Sequence, residues 1–419
     1  MRSFVRVATA VMTVAVLAVG AVVGGTRLFD TARPKPAGDH SIGPWTDELY
    51  VLDPTNRYPG LEAAVYALDE TSRPELLQRR SAGRYRAGYD PQLTLSPDGS
   101  RAYVMSTLQA DSIQNRQNVI DTYDTGTGER HARATLPELD GTNKNRTLHK
   151  PPIYAPDFVS SFDGARLYLG ESTIRRGPVR SKALVGTFDT ETNSLLPNSI
   201  DLPDCTRMVL LPRGENALSV VCSFTATPGR ASTVPTTNFV YFLQVDGDGS
   251  AASFERLDLP RAGVSDEEIA WASASSDGGT IYAVTRAGHV YVVDAVTQEL
   301  RTEVDLEPRV KVQTQKVALS SDGSTLYVGT APLGSSSIVD ANGIAAYDVR
   351  TWDQIASVRA EDFFWTMTLG PGGRRIYAPS FDEPSWSIQV FDARSLEQLG
   401  TVGDVGRTPV LAEVPRLGR

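Results

Sequence analysis

The chain has 419 residues, a length that fits either two or three domains or one large all-β unit. Apolar residues make up 41% and charged residues 22%, an ordinary balance that excludes a wholly disordered chain and a polytopic membrane protein. The 41 Lys and Arg stand against 50 Asp and Glu for a formal charge of −9, the wrong sign for a surface that tracks phosphates, so nucleic acid is not an expected partner.

In chain order, Arg2 and Arg6 precede an uncharged Ala/Val-rich stretch from Val7 to Gly25, followed by Arg27 and a polar segment with Pro34, Pro36 and Pro44. This reads as an export signal over residues 1–25. The stretch is long for a cleaved signal, only just long enough to span a bilayer, and no clean Ala-x-Ala site ends it, so a signal peptide and a membrane anchor both remain open. Residues 26–46 read as a Pro-rich tether, and residues 47–419 as the folded domain. The expected location is extracytoplasmic: periplasmic, cell-surface or secreted, with membrane contact through the N-terminal segment where it is retained.

The folded part repeats itself. A small or apolar run ending in Ser-x-Asp-Gly, followed by a Tyr-containing strand, recurs as "LTLSPDGSRAYVMS" (93–106), "VSSFDGARLYLGES" (159–172), "SASSDGGTIYAVT" (273–285) and "ALSSDGSTLYVGT" (318–330). "TLGPGGRRIYAPS" (368–380) is a weaker copy, and "VLLPRGENALSVVC" (209–222) carries a cysteine. Each predicts a hairpin whose Asp-Gly pair supplies positive φ angles. The second half of each unit is an apolar strand ending in Asp, then a turn and another strand. The aspartates are Asp69, Asp124, Asp189, Asp246, Asp294, Asp348 and Asp392, and an Asp before a turn accepts backbone N–H groups, which is a structural role.

Seven such units over residues 47–419 average about 53 residues, near the period of propeller repeats. The expected fold is therefore all-β, a seven-bladed β-propeller. The first unit, starting with "DELYVLD" (47–53), lacks an innermost strand, and the chain ends with an extra one in "GRTPVLAEVPR" (406–416). Residues near Pro409 to Val414 are expected to supply the innermost strand of the first blade and close the ring.

Cys205 and Cys222 flank two β-rich runs joined by Pro-Arg-Gly-Glu. In a hairpin centred on Arg213 and Gly214, Leu211 pairs with Asn216 and Cys205 with Cys222, so the spacing permits a cross-strand disulfide, which export makes chemically reasonable. Neither a Cys-x-x-Cys nor a Cys/His zinc spacing is present. No nucleophile elbow, phosphate-binding loop, His-Glu-x-x-His helix or EF-hand loop occurs, and the histidines at 40, 131, 149 and 289 are scattered, so neither a catalytic residue nor a metal site is expected in this chain.

Propellers bind at the channel mouth, with residues in the segments leading into each innermost strand. Here these are Tyr89, Tyr154, Arg207, Trp271, Gln315 and Trp365, a candidate recognition face; packing between blades is the competing role for Trp271 and Trp365. A second candidate is the insertion at 107–118 in the second blade, with Leu108 and Gln109, together with the segment 137–156 between blades.

Specific residues resemble the heavy, β-propeller subunit of the methylamine and aromatic amine dehydrogenases. They are "DELYVLDP" (47–54), the "MST" with its insertion leading to "VIDTYDTGTGE" (105–129), "IDLPDC" (200–205) with the second cysteine at 222, and the terminal "GRTPVL". The resemblance runs from about residue 47 to the end. It implies a subunit holding no cofactor, docked to a small cysteine-rich light chain whose tryptophylquinone oxidises a primary amine, with the insertion at 107–118 near the amine channel. Gln109 stands where that family tends to have an aromatic residue, a departure from its substrate gate. The alternative expectation is a stand-alone extracytoplasmic propeller that binds a ligand or a protein without catalysis.

Overall fold

The computed structural model describes residues 48–53, 62–69, 79–86, 89–109, 116–136, 158–173, 182–225, 236–263, 268–306, 311–331, 343–360, 364, 366–370, 372–382, 385–403 and 410–413. The segment expected to be a signal or anchor (1–25) and the tether (26–46) lie outside these residues. Among the described residues no helix is long and apolar enough to cross a membrane.

All described elements are strands, and they form seven four-stranded antiparallel sheets. Six are blades built each from four consecutive strands, starting at Tyr89, Phe158, Arg207, Ile269, Lys311 and Thr368. The remaining sheet is composite: Val410–Glu413, from the end of the chain, pairs antiparallel with Glu48–Asp53, which continues to Glu62–Asp69 and Arg79–Arg86. Numbered from the N-terminus, the composite sheet is the first and the six blades are the second to seventh. The terminal strand lies against the innermost strands of the second and seventh blades, Tyr89–Leu95 and Thr368–Leu369. The fold is a β-propeller, with six blades of consecutive strands beside the composite sheet rather than the seven blades expected.

The cores lie between sheets rather than within them. The inner strand of the fourth blade, Arg207–Pro212, sends Met208 and Leu210 to the core shared with the third blade, and Leu211, with Val209 packed beside it, to the core shared with the fifth. Central strands are covered on both sides: His289–Asp294 is buried at every position, which explains the apolar run from Val290 to Val293. Outermost strands alternate, as in Arg130–Leu136.

Two kinds of turn repeat at the end of the ring where inner strands finish, here called the turn face. In Ser-x-Asp-Gly, Gly99 N–H donates to the Ser96 carbonyl (2.9 Å), Ser96 Oγ donates to Asp98 (2.6 Å) and accepts Arg101 N–H (2.9 Å). Ser161, Ser275 and Ser320 repeat this pattern. Contrary to expectation, only the glycine takes positive φ, at 66–71° in Gly99, Gly164, Gly278, Gly323 and Gly373. The other turn follows the periodic Asp: Asp189 accepts Thr192 N–H at 2.6 Å, Asp392 accepts Ser395 N–H at 2.8 Å, and Asp124, Asp294 and Asp348 do likewise. The residue four positions on is left-handed in each: Gly128, Asn193, Gln298, Trp352 and Leu396.

The Cys205–Cys222 disulfide forms, with Cα atoms 5.4 Å apart. Its place in the ladder corrects the expected register. Leu211 pairs with Ser219 rather than Asn216, and Cys222 lies opposite Met208. The turn runs from Arg213, whose N–H donates to the Ala217 carbonyl (2.8 Å), so it is wider than the Arg213–Gly214 centre assumed. Cys205 sits two residues before the strand begins, so the bond ties the segment leading into the inner strand to the second strand.

Candidate functional site

Because strands alternate in direction, the connections between second and third strands, and those between blades, all leave the opposite end, here called the loop face. The two faces differ in kind. On the turn face the Ser-x-Asp-Gly and Asp turns are closed by the hydrogen bonds above. At the loop face the second strands of the second, third, fourth and sixth blades end at Gln109, Thr173, Thr225 and Ala331, and the third strands begin at Arg116, Lys182, Thr236 and Gly343. The fifth and seventh blades differ: Thr285 to Gly288 turns tightly, with Gly288 N–H donating to the Thr285 carbonyl at 3.0 Å, and in the seventh the ladder runs on to Asp382 opposite Ser385.

Beside that short turn stands a charged cluster. Arg207 opens the inner strand of the fourth blade, Glu268 precedes that of the fifth, and Arg286 follows the fifth blade's second strand. Arg207 Nη1 and Arg286 Nη1 each lie 3.5 Å from the same oxygen, Glu268 Oε2. Side-chain exposure falls from 37% at Arg286 to 18% at Glu268 and 11% at Arg207, so the cluster runs from solvent into the seam between blades. Both contacts exceed the about 2.7–2.9 Å of a tight charge-assisted bond. Among the described residues, two guanidiniums share one carboxylate here. Below it, Ser223 Oγ accepts Ile269 N–H (2.9 Å) and donates to Asn238 Oδ1 (2.7 Å), joining the same two blades. His289 is buried at this end of the fifth blade, its Nδ1 2.8 Å from Asp305 Oδ1.

Of the residues expected at the channel mouth, Arg207 opens the fourth blade's inner strand and belongs to the cluster with Glu268. Trp271 is half-buried and packs against the core shared by the fifth and sixth blades. Tyr89 opens the second blade's inner strand, its backbone paired with Thr107, and Gln315 falls where the sixth blade's register shifts between Val312 and Val317; their side chains lie outside what is described. Tyr154 and Trp365 lie outside the described residues. The two ends of the expected insertion at 107–118 belong to strands: Arg101–Gln109 and Arg116–Asp124 pair throughout, with Leu108 opposite Gln117 and Gln109 opposite Arg116, and residues 110–115 lie outside the described residues. Glu268 and Arg286 were missed; the signal available was a charged run, "SDEEIA", directly before an inner strand.

No protein-family profile matches this chain, and no curated protein matches its sequence. Among solved structures it is similar to a functionally unknown protein from Desulfotomaculum acetoxidans DSM 771, with TM-score 0.51 and 13% identity over 87% of this chain and 99% of that one. It is also similar to the Kuenenia stuttgartiensis hydrazine synthase, with TM-score 0.52 and 13% identity over 81% and 94%. Likeness at such identity shows the propeller fold alone, and a propeller hosts many unrelated functions.

Proposed function

We propose that this protein is an extracytoplasmic binding propeller, a ring in which the composite sheet serves as the seventh blade and whose loop face engages a ligand or partner protein. The observation that carries this reading is the asymmetry of the two faces. Tight, repeated turns on one side are scaffold, whereas variable connections held by a rigid ring are where binding residues concentrate. The Arg207–Glu268–Arg286 cluster gives that face a polar anchor. The Cys205–Cys222 bond supports an oxidising location. A photo-crosslinking residue placed at Ala287, on the loop face, is compared with one at Ser324, on the turn face, in the native host. Adducts from position 287 are expected; adducts from 324 alone would overturn the assignment of the face.

The disulfide favours a second reading. It joins the two cysteines that carry the most specific part of the resemblance to amine dehydrogenase heavy subunits, in which case the partner is a small, cysteine-rich, quinone-bearing light chain and the substrate a primary amine. Co-purification of a quinone-absorbing chain with amine-dependent dye reduction tests it, and a preparation lacking both rejects it.

A further inference from the structure

At the turn face the ends of six inner strands enclose a cavity of 370 Å³, within the about 300–1,000 Å³ range of small-molecule sites. Leu210, Leu211, Leu319, Leu369 and Val159 supply apolar wall, while Thr94, Ser160, Ser273, Ser276 and Ser321 supply hydroxyls. None of the described lining residues carries an ionisable side chain. Phe162, from the third blade's turn, reaches across the mouth: a Cβ at Gly278 of the fifth blade would lie 3.5 Å from its Cζ.

The walls are fixed before any ligand arrives. Gly164, Gly278 and Gly323 N–H groups close their turns onto Ser161, Ser275 and Ser320 at 3.1, 2.8 and 2.8 Å. The hydroxyl protons of Ser275 and Ser320 are given to Asp277 and Asp322, which occupies those carboxylates within their own turns. Ser276 and Ser321 occupy the second position of the same turns, where the side chain takes no part in closing them.

We propose that this cavity is a binding site for a small uncharged molecule with an apolar body and a hydroxyl or carbonyl group. Burial of the apolar body against the leucines drives binding, and the serine hydroxyls orient the polar group. A charged analogue would be desolvated against described walls that carry no ionisable side chain, the neighbouring Asp277 and Asp322 already accepting hydrogen bonds within their own turns, and is disfavoured.

Three probes of one shape and different charge test this by calorimetric titration of the full chain: cyclohexanol, cyclohexylammonium and cyclohexanecarboxylate. Saturable binding of cyclohexanol is expected, at least about ten-fold tighter than either ion. The Ser276→Phe/Ser321→Phe double variant is expected to weaken cyclohexanol by a further about ten-fold at unchanged melting temperature, because Phe162 already fills this turn position in the third blade. Should the double variant melt early, Ser321→Phe alone gives the same comparison. No saturable binding, equal affinity for all three probes, or unchanged affinity in the folded variant would overturn the proposal.

Discussion

The Arg213 guanidinium donates from Nη1 to the carbonyl oxygen of Ala295 at 2.9 Å, crossing from the fourth blade to the fifth at the turn face. The same side chain lies over the Phe242 ring, 5.1 Å from its centre. Burial pushes its pKa down from an ordinary arginine value too high for this to discharge the group. The seam between these blades is thus held at one end by Arg213, at the other by Arg207 and Glu268, and in between by Ser223 and Ile269. Arg213→Met keeps much of the stem's packing and removes the charged donor, so it is expected to cost about 2 kcal/mol. Urea unfolding at neutral pH reads this directly, and a midpoint equal to that of the parent chain would show that the bond contributes nothing net.

Reduction of Cys205–Cys222 releases a loop of 17 residues' separation in the unfolded chain, worth about 3 kcal/mol on the loop-entropy account. The Cys205→Ala/Cys222→Ala variant should unfold at lower denaturant than the oxidised parent and be indifferent to dithiothreitol. The oxidised parent should fall toward it on reduction. Both sulfurs are buried, so a reductant will act slowly on the folded state and the comparison must be made at equilibrium. A variant as stable as the oxidised parent would remove the structural role.

The features readable from sequence are those fixed by neighbours along the chain. Ser96, Asp98 and Gly99 determine their turn within four residues, and Asp189 with Thr192 does the same, so the repeat is recognisable along the chain. The missing inner strand of the first sheet was also legible, because an unpaired strand at each end of the chain has one economical partner. The disulfide register slipped because turn width depends on where Arg213 and Ala217 close the hairpin, and Pro-Arg-Gly-Glu does not state that. The candidate site was least legible. Glu268 meets Arg207 from another blade, and Phe162 spans to Gly278 over more than a hundred residues of chain. Such contacts are set by how sheets stack around the ring, to which no local pattern refers.

Acid should loosen the turn face in a defined window. Hydrogen bonds from Thr297 N–H, then the Arg301 guanidinium, hold Asp294 down to about 2. Thr127 and Thr192 lower Asp124 and Asp189, Ser395 lowers Asp392, and the Ser275 and Ser320 hydroxyls lower Asp277 and Asp322. All of these folded values lie below the ordinary 3.8. The stability they contribute is therefore fully present above about pH 4 and is lost as pH falls through the folded values, toward about 2 for Asp294. Urea midpoints for the parent and for Asp294→Asn should differ at pH 7 and converge near pH 2; a constant difference across that range would contradict the linkage.

The left-handed residue of the Asp turns offers a test of backbone strain. Gln298 sits at φ 60°, where the equivalent position of the second blade is Gly128 at 71°. A β-branched side chain is poorly tolerated there, so Gln298→Val should lose about 1–2 kcal/mol. Gln298→Asn should be neutral or slightly stabilising, as Asn193 already occupies this position in the third blade at φ 53°. Thermal melts of the two variants should therefore move in different directions. If both fall equally, contacts of the glutamine side chain, rather than backbone conformation, set the outcome.

Closure of the ring rests on four residues. Val410–Glu413 pairs with Glu48–Asp53 through Leu49 opposite Glu413, Tyr50 opposite Ala412, Val51 opposite Leu411 and Leu52 opposite Val410. Without it, the Glu48–Asp53 strand would present a row of unpaired N–H and C=O groups toward the axis, and the inner strands at Tyr89 and Thr368 would lose the neighbour lying between them. Every other sheet takes its inner strand from the start of its own unit, so it survives loss of the C-terminus with its hydrogen bonds intact. Deleting residues 406–419 is therefore expected to act first on the composite sheet and the two blades beside it. Hydrogen exchange should show early loss of protection in Glu48–Asp53, Tyr89–Leu95 and Arg375–Asp382, with the fourth and fifth blades protected longest, and the melting temperature should drop markedly. The exposed edge should also make the truncated chain self-associate, which sedimentation detects. An unchanged melting temperature together with uniform exchange would mean that the terminal strand only decorates a ring already closed by side-chain packing between the first and last sheets.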